Sequence, residues 1–293
     1  MSAVLAYQTP LADARRARAP CNADAIGDSA VDCLLLELET WPKPGLVSHV
    51  DNGSHDDMDA GTFRRSAAAI RPYFQHLADA AARGCGMGRL RMIGLEAETA
   101  MLAATAGVNT HRGAIFGLGL LCAAAGARAA ELVDPELPLG DVVSRLWGSS
   151  ILDGPVPLHS HGSAARRRFR AGGARAEAAS GFPSVYRIGL PALRRGARAV
   201  PHDAEAARIE ACFALISSVE DTNLLHRGGL DGLRFARRAT RLFLDQGGVR
   251  RSGWPERARS VHQDFVARRL SPGGSADLLA MTLFVDAHER PCP

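Results

Sequence analysis

Acids, a histidine and a solitary lysine crowd into one short stretch, WPKPGLVSHVDNGSHDDMD, at positions 41–59. Lys43 is the only lysine in a chain that holds 35 lysines and arginines together. An ammonium is a compact point charge that arginine's planar fork does not imitate, so a lone lysine between Pro42 and Pro44 marks a place that needs compactness. A dozen residues on, His55, Asp56, Asp57 and Asp59 bring imidazole and oxygen donors together. Magnesium takes such oxygens, usually one or two carboxylates plus water and substrate phosphates. The stretch therefore reads as a polyphosphate clamp, with Lys43 on phosphate and Asp56, Asp57 and Asp59 on Mg²⁺. The competing explanation is an Asx-rich turn in which Asp59 caps the next helix.

Two further corners resemble each other. GVNTHRGAIF, 107–116, offers Asn109, Thr110, His111 and Arg112 at a helix start, where free backbone N–H groups and cationic side chains suit an anion. EDTNLLHRGGL, 220–230, repeats the pattern with Asn223, His226 and Arg227, and places Glu220 and Asp221 ahead of it as carboxylates for metal or general-base work. Simple capping by Asn or Thr, with the arginine in water, is the ordinary alternative for each. A fourth loop, LSPGGSADLL, 270–279, places Ser271, Gly273, Gly274 and Ser275 before an apolar helix; it could cradle phosphate, although Gly-Gly-Ser is also a common way to begin a helix. A fifth, HSHGSAARRRFRAGGARAE, 159–177, carries His159, His161, Arg166, Arg167, Arg168, Arg170 and Arg175, as a phosphate contact or a solvated basic face. In IGLEAETAM, Glu96 and Glu98 lie about 200° apart on a helix, so only one can face a pocket, and Glu96 is the expected one.

These loops need a scaffold, and the periodicity supplies an all-α one. Apolar residues recur at helical spacing over about 26–40, 59–83, 94–106, 111–127, 141–148, 183–195, 204–222, 230–246, 255–270 and 275–288, separated by Gly and Pro. Alternating β-branched runs are nearly absent. The first 24 residues, with Pro10, Pro20 and ARRARA, read as a flexible leader, and 25–293 as a single helical catalytic domain. Residues 149–182 form a long polar excursion. No run approaches a membrane span. Six cysteines without a CxxC pair fit a reducing cytoplasm. A net charge of +4, with 5% aromatic residues, suits small anionic ligands and leaves little case for nucleic acid, which would want stacking partners and a stronger basic field.

PKPGLV followed by NGSHDDMD, then GLEAETAMLAATAGVNTHRGAIFGLGLLCAAAG, then EDTNLLHRGG, resembles the triphosphoribosyl-dephospho-coenzyme A synthases over roughly residues 32–286. The stretches ARRRFRAGGARAEAASGFPSVYRIGLP and RLSPGGSADLLAMTLFVDA resemble most the malonate decarboxylase branch of that family. One departure is Ala106 in TAGVNTH, where the family pattern leads us to expect a second glycine. The resemblance implies that the triphosphoribosyl part of ATP passes to the 2'-hydroxyl of 3'-dephospho-CoA. Adenine is released, and the product is the prosthetic-group precursor of an acyl carrier protein served indirectly. It further implies an inverting displacement with Mg²⁺ as cofactor and no covalent intermediate. Phosphates then fall to Lys43, Arg112 and Arg227, and the base is Asp221 or Glu96. A homodimer is compatible with this reading. The rival enzyme is an HD-type metal phosphohydrolase, whose ingredients (His55-Asp56 on an all-α chain) are also present.

Overall fold

The computed structural model describes residues 22–155 and 173–289. The leader up to residue 21, His159, His161 and the arginines at 166, 167, 168 and 170 lie outside the described residues. Within them the chain is helical, as the periodicity predicts: α1 (Ala23–Leu38), α2 (Ala60–Ala82), α3 (Met87–Ala104), α4 (Arg112–Ala129), α5 (Leu139–Asp153), α6 (Gly173–Ala179), α7 (Leu190–Ala199), α8 (Ala204–Ser218), α9 (Thr222–Asp245), α10 (Trp254–Ala267) and α11 (Gly273–Glu289). A π-helical turn (Val185–Gly189) leads into α7, and a 3₁₀ turn (Gly248–Arg250) follows α9.

α4 is the hub. Its sequence, RGAIFGLGLLCAAAGARA, has almost no amphipathic face, and residues 117 to 127 are all buried. A helix apolar all round must be enclosed, and α4 is enclosed by α1, α2, α3, α5 and α11. Small residues set how close the neighbours come: a Cβ on Gly126 would run into the Ala78 carbonyl of α2, and one on Gly117 into the Met281 side chain of α11. The main core runs continuously from Ile26 of α1 to Val285 of α11. A small satellite cluster around Phe213, Phe243 and Val249 seals the 3₁₀ turn.

Helix ends explain where the boundaries fall. Asp59 opens α2 as the sequence suggests, its carboxylate accepting from the Thr62 N–H at 2.7 Å in a capping box. α3 starts at Met87 instead of near 94, because Gly86 ends the preceding turn and Leu90 already belongs to the buried stripe. α9 starts at Thr222, absorbing the HRGG corner, because Asp221 caps it; the expected boundary near Leu230 survives as a kink at Gly229 (φ 61°). The excursion contains a helix the periodicity misses, α6. At the end of α3, Gly107 N–H returns to Leu102 O at 2.8 Å and Ala106 takes φ 54°, the left-handed position that glycine normally fills in this closing motif. The departure at Ala106 is thus a methyl group held in αL.

Two substitutions of opposite sign test this scaffold by urea denaturation. Gly126→Ala drives α4 off α2 and destabilises the protein by about 1–3 kcal/mol. Ala106→Gly relieves the left-handed methyl and stabilises it by about 0.5–1 kcal/mol, the steric relief outweighing glycine's entropic cost.

Candidate active site

All five loops singled out in the sequence open onto one cavity of about 1850 Å³, the fifth through its described residues 173–177. α4, α9 and α11 all begin at its wall, at Arg112, Thr222 and Gly273. Each helix start presents unpaired N–H groups and a positive partial charge, so the cavity is electrostatically suited to anions before any side chain is considered.

At the α4 corner, Asn109 Oδ1 accepts from the Arg112 N–H at 3.2 Å, while Arg112 Nε donates to Glu98 Oε2 at 2.9 Å. Thr110 Oγ1 donates to Ser66 Oγ at 2.7 Å, and Ser66 Oγ lies 2.6 Å from His111 Nδ1. Burial, with the Lys43 charge second, lowers the His111 pKa to about 3, so this ring is neutral at physiological pH.

The second and third corners meet through one carboxylate. Asp221 is 2% exposed and caps both helices: Oδ1 accepts from the N–H groups of Asn223 (2.9 Å) and Leu224 (3.3 Å), and Oδ2 from the N–H (2.7 Å) and hydroxyl (2.9 Å) of Ser275. Burial raises its pKa and the donors of Ser275, Asn223 and Leu224 oppose the rise. With both oxygens so engaged, the expectation that Asp221 is the base gives way to a structural role, and buried Ser275 serves as its partner. Asn223, His226, Gly273 and Gly274 line the cavity, with Asn223 packed so close that a Cβ on Gly273 would meet its amide nitrogen at 2.8 Å.

The acidic loop closes the wall by docking on the fourth. Ser54 Oγ donates to Leu270 O at 2.7 Å, and His55 Nε2 lies 2.9 Å from Ser271 Oγ. Arg227 donates to Ser54 O (3.1 Å), Arg269 O (3.3 Å) and His55 Nδ1 (3.1 Å). Receiving at Nδ1, His55 donates from Nε2 to Ser271. Burial, then the Arg227 charge, lowers its pKa and keeps it neutral. Ser271 is thus drawn into a brace, while Arg227 keeps part of its guanidinium at the cavity.

Several expectations need correction. Lys43 is not at the cavity: it is 0% exposed, and its ammonium donates to the carboxylate of Glu37 and, at 2.6 Å, to Glu37 O. A compact cation is indeed required, but by a buried acid in place of a phosphate. Asp59 is consumed as the α2 cap, and Asp56 is 87% exposed beside Arg269 and away from the cavity wall. Among the described residues no three His, Cys, Asp or Glu side chains converge to hold a metal. The triad Asp56, Asp57 and Asp59 therefore forms no cage, nor do the HD-type ingredients assemble. Asp57 alone of the three lines the cavity, with Oδ1 3.5 Å from His55 Nδ1. Glu96 is exposed and off the wall, whereas Glu98 lines it. The cavity face of α3 runs through Arg91, Gly94, Glu98 and Leu102, and residue 96 sits on the other side. Arg175 is spent on the end of α5, donating to the carbonyls of Ile151, Leu152 and Gly154.

Sequence reasoning passed over two carboxyl groups at the cavity. Glu37 carried no signal beyond its place on α1. Asp277 lay inside LSPGGSADLL, and its signal was its phase: two residues beyond the buried Ser275 and one turn into α11, it faces the start of α4, where a Cβ on Gly113 would collide with its carboxylate.

Residues 23–292 match the family model CitG, described as ATP:dephospho-CoA triphosphoribosyl transferase. The chain is 41% identical over 276 residues to a protein of Pseudomonas fluorescens (strain Pf0-1) named "Probable 2-(5''-triphosphoribosyl)-3'-dephosphocoenzyme-A synthase", covering 92% of this chain and 93% of that one. Proteins of the same name from Stutzerimonas stutzeri (39% over 294 residues, 98% and 96% covered) and Azotobacter vinelandii (40% over 275 residues, 92% and 93% covered) are similar to it. No solved structure matches the chain.

The buried pair yields a stability test. Lys43→Met leaves the Glu37 carboxylate uncompensated and lowers the unfolding free energy by about 3–5 kcal/mol, part of which returns in the double variant with Glu37→Gln. Urea midpoints measure both; an unchanged midpoint with a weakened nucleotide KM would return Lys43 to the substrate.

Proposed function

The chain belongs to the ATP:dephospho-CoA triphosphoribosyl transferase family, and on that premise we propose that it moves the 5-triphosphoribosyl group of ATP onto the 2'-hydroxyl of 3'-dephospho-CoA and releases adenine. The observation that carries this reading is the meeting of three helix N-termini with Arg112 and Arg227 on one cavity. Its volume exceeds the roughly 300–1,000 Å³ usual for one small ligand, as two phosphate-bearing substrates require. Donation from ribose carbon leaves the triphosphate intact, so phosphates must be held and not cleaved. Helix N-termini and guanidinium groups do this without a Walker loop.

In this reading Arg112, steadied by Glu98, and the α4 amide groups hold one anionic segment. Arg227, His226, Asn223 and the Gly273-Gly274 start of α11 hold another. Thr110 and His111 act indirectly, through Ser66, by fixing the corner. Asp57 would hold the magnesium that accompanies the triphosphate, and that ion would neutralise phosphate charge. With Asp221 and Glu96 set aside as bases, hydroxyl attack proceeds as an inverting displacement on a ribose carbon with oxocarbenium character. The product is the precursor of a carrier-protein prosthetic group, and the malonate decarboxylase carrier is the destination we favour, from the segments 165–191 and 269–287. The setting is the cytoplasm.

Incubation with ATP, Mg²⁺ and dephospho-CoA should yield free adenine and a coenzyme product heavier by one triphosphoribosyl unit. Released phosphate without adenine would overturn the assignment in favour of a hydrolase. Arg112→Ala and Arg227→Ala should each raise one substrate KM about ten- to hundredfold, the loss of a charge-assisted contact. If the two variants raise different KM values, the corners serve different substrates.

A further inference from the structure

The cavity carboxyl groups differ in what they are already doing. Glu37 is paired with Lys43, Glu98 with Arg112, and Asp57 stands beside His55. Glu177 accepts from the Ser184 N–H and hydroxyl, and Asp221 from its four donors. Glu220 is exposed at the mouth. Asp277 differs: it is partly buried on the wall and close against Gly113, and the Ala114 N–H at the start of α4 is its hydrogen-bonding neighbour. Among the described residues no side chain is hydrogen-bonded or ion-paired to it.

We propose that Asp277 is the general acid that protonates departing adenine, a catalytic residue of the transfer; the proposal rests on the function proposed above. Its position within the cavity, free of side-chain partners, leaves its carboxyl open to substrate. The titratable groups that face it are Glu37 from α1, itself ion-paired with Lys43, and Asp221 at the start of α9, while His111 at the start of α4 is neutral. Burial, then Glu37, then Asp221 push the Asp277 pKa well above the usual carboxylate range, and only the Ala114 N–H opposes them. A carboxyl so placed favours its protonated form and can donate that proton.

The step balances as follows. The glycosidic C–N bond of ATP breaks and its electron pair goes to adenine, which takes the Asp277 proton on a ring nitrogen. The bond between the 2'-oxygen of dephospho-CoA and the ribose carbon forms, the hydroxyl proton passes to solvent, and Asp277 regains a proton from solvent. The protonated form is the active one, so kcat holds at low pH and falls as pH rises through the raised pKa.

The test is steady-state adenine release by the full chain across pH. Asp277→Asn should lower kcat by about 10²–10⁴-fold with little change in the KM for ATP, and its residual rate should lack the basic limb. Gly113→Ala, which displaces the carboxyl yet leaves it titratable, should lower kcat and keep the limb. A kcat for Asp277→Asn within tenfold of wild type, or a lowered kcat that retains the wild-type limb, would overturn the proposal. Wild-type protein that forms no adenine from ATP and dephospho-CoA would instead overturn the functional reading itself, before any variant is compared.

Discussion

One carboxylate, Asp221, decides whether there is a cavity wall at all. Two helices, α9 and α11, begin side by side, and each start carries several N–H groups with no partner inside its own helix. Asp221 takes two from α9 through one oxygen, and through the other it takes the N–H and hydroxyl of Ser275, at distances of 2.7–3.3 Å. Both starts are therefore held together by one residue that itself lines the cavity. A neutral asparagine could accept only at its carbonyl and would turn an NH₂ toward one set of donors, so the double cap requires a carboxyl group.

Around that anchor the polar residues divide by exposure. The buried ones, Glu37 with Lys43, Ser66 with neutral His111, and Asp221 with Ser275, are saturated by one another, as buried polar groups must be if they are not to cost stability. His55, Arg227 and Ser54 form a second layer that fastens the acidic loop to the turn before α11. Gly45 contributes to that fastening: at φ 66° its missing side chain lets the Leu270 carbonyl approach the backbone. The side chains left with capacity to meet a ligand are those at the edge of these networks.

How much of this was legible follows from the same division. Asp59 could be read as the α2 cap because capping is local, involving Asp59 and Thr62 only. The starts of α4 and α11 were legible because a helix start is also local, whereas α9 begins at Thr222, ahead of the expected boundary near 230. Lys43 was not legible in role: its oddity marked the position, but its partner, Glu37, belongs to the preceding helix, and whether a lysine six residues further on turns inward depends on the WPKPG turn between them. Glu96 and Glu98 failed on phase. The choice needs the position of the buried stripe of α3, Leu90, Ile93, Ala97 and Met101, relative to the cavity, and that is set by neighbouring helices. Asp277 was hidden because only α4, more than 160 residues earlier, makes its position meaningful.

The electrostatic layout that results sets both charges around one cavity, and on the proposed function it constrains how a nucleotide could lie. Arg112 and Arg227 are partly solvent-exposed, while Asp221 sits at the starts of α9 and α11 and Asp277 against the start of α4, where burial, then Glu37 and Asp221, favour its protonated form. On the proposed function a triphosphate is drawn to the arginines, and its sugar lies by the carboxyl groups. Positive charge developing on a ribose carbon in the proposed transfer would then be stabilised by those carboxyl groups. A phosphoryl-transfer enzyme would want the opposite polarity at its reacting atoms, because charge there is negative and cations must gather around it. Carboxyl groups set beside an anion grip are therefore what would suit this helical scaffold to the proposed chemistry at a sugar carbon.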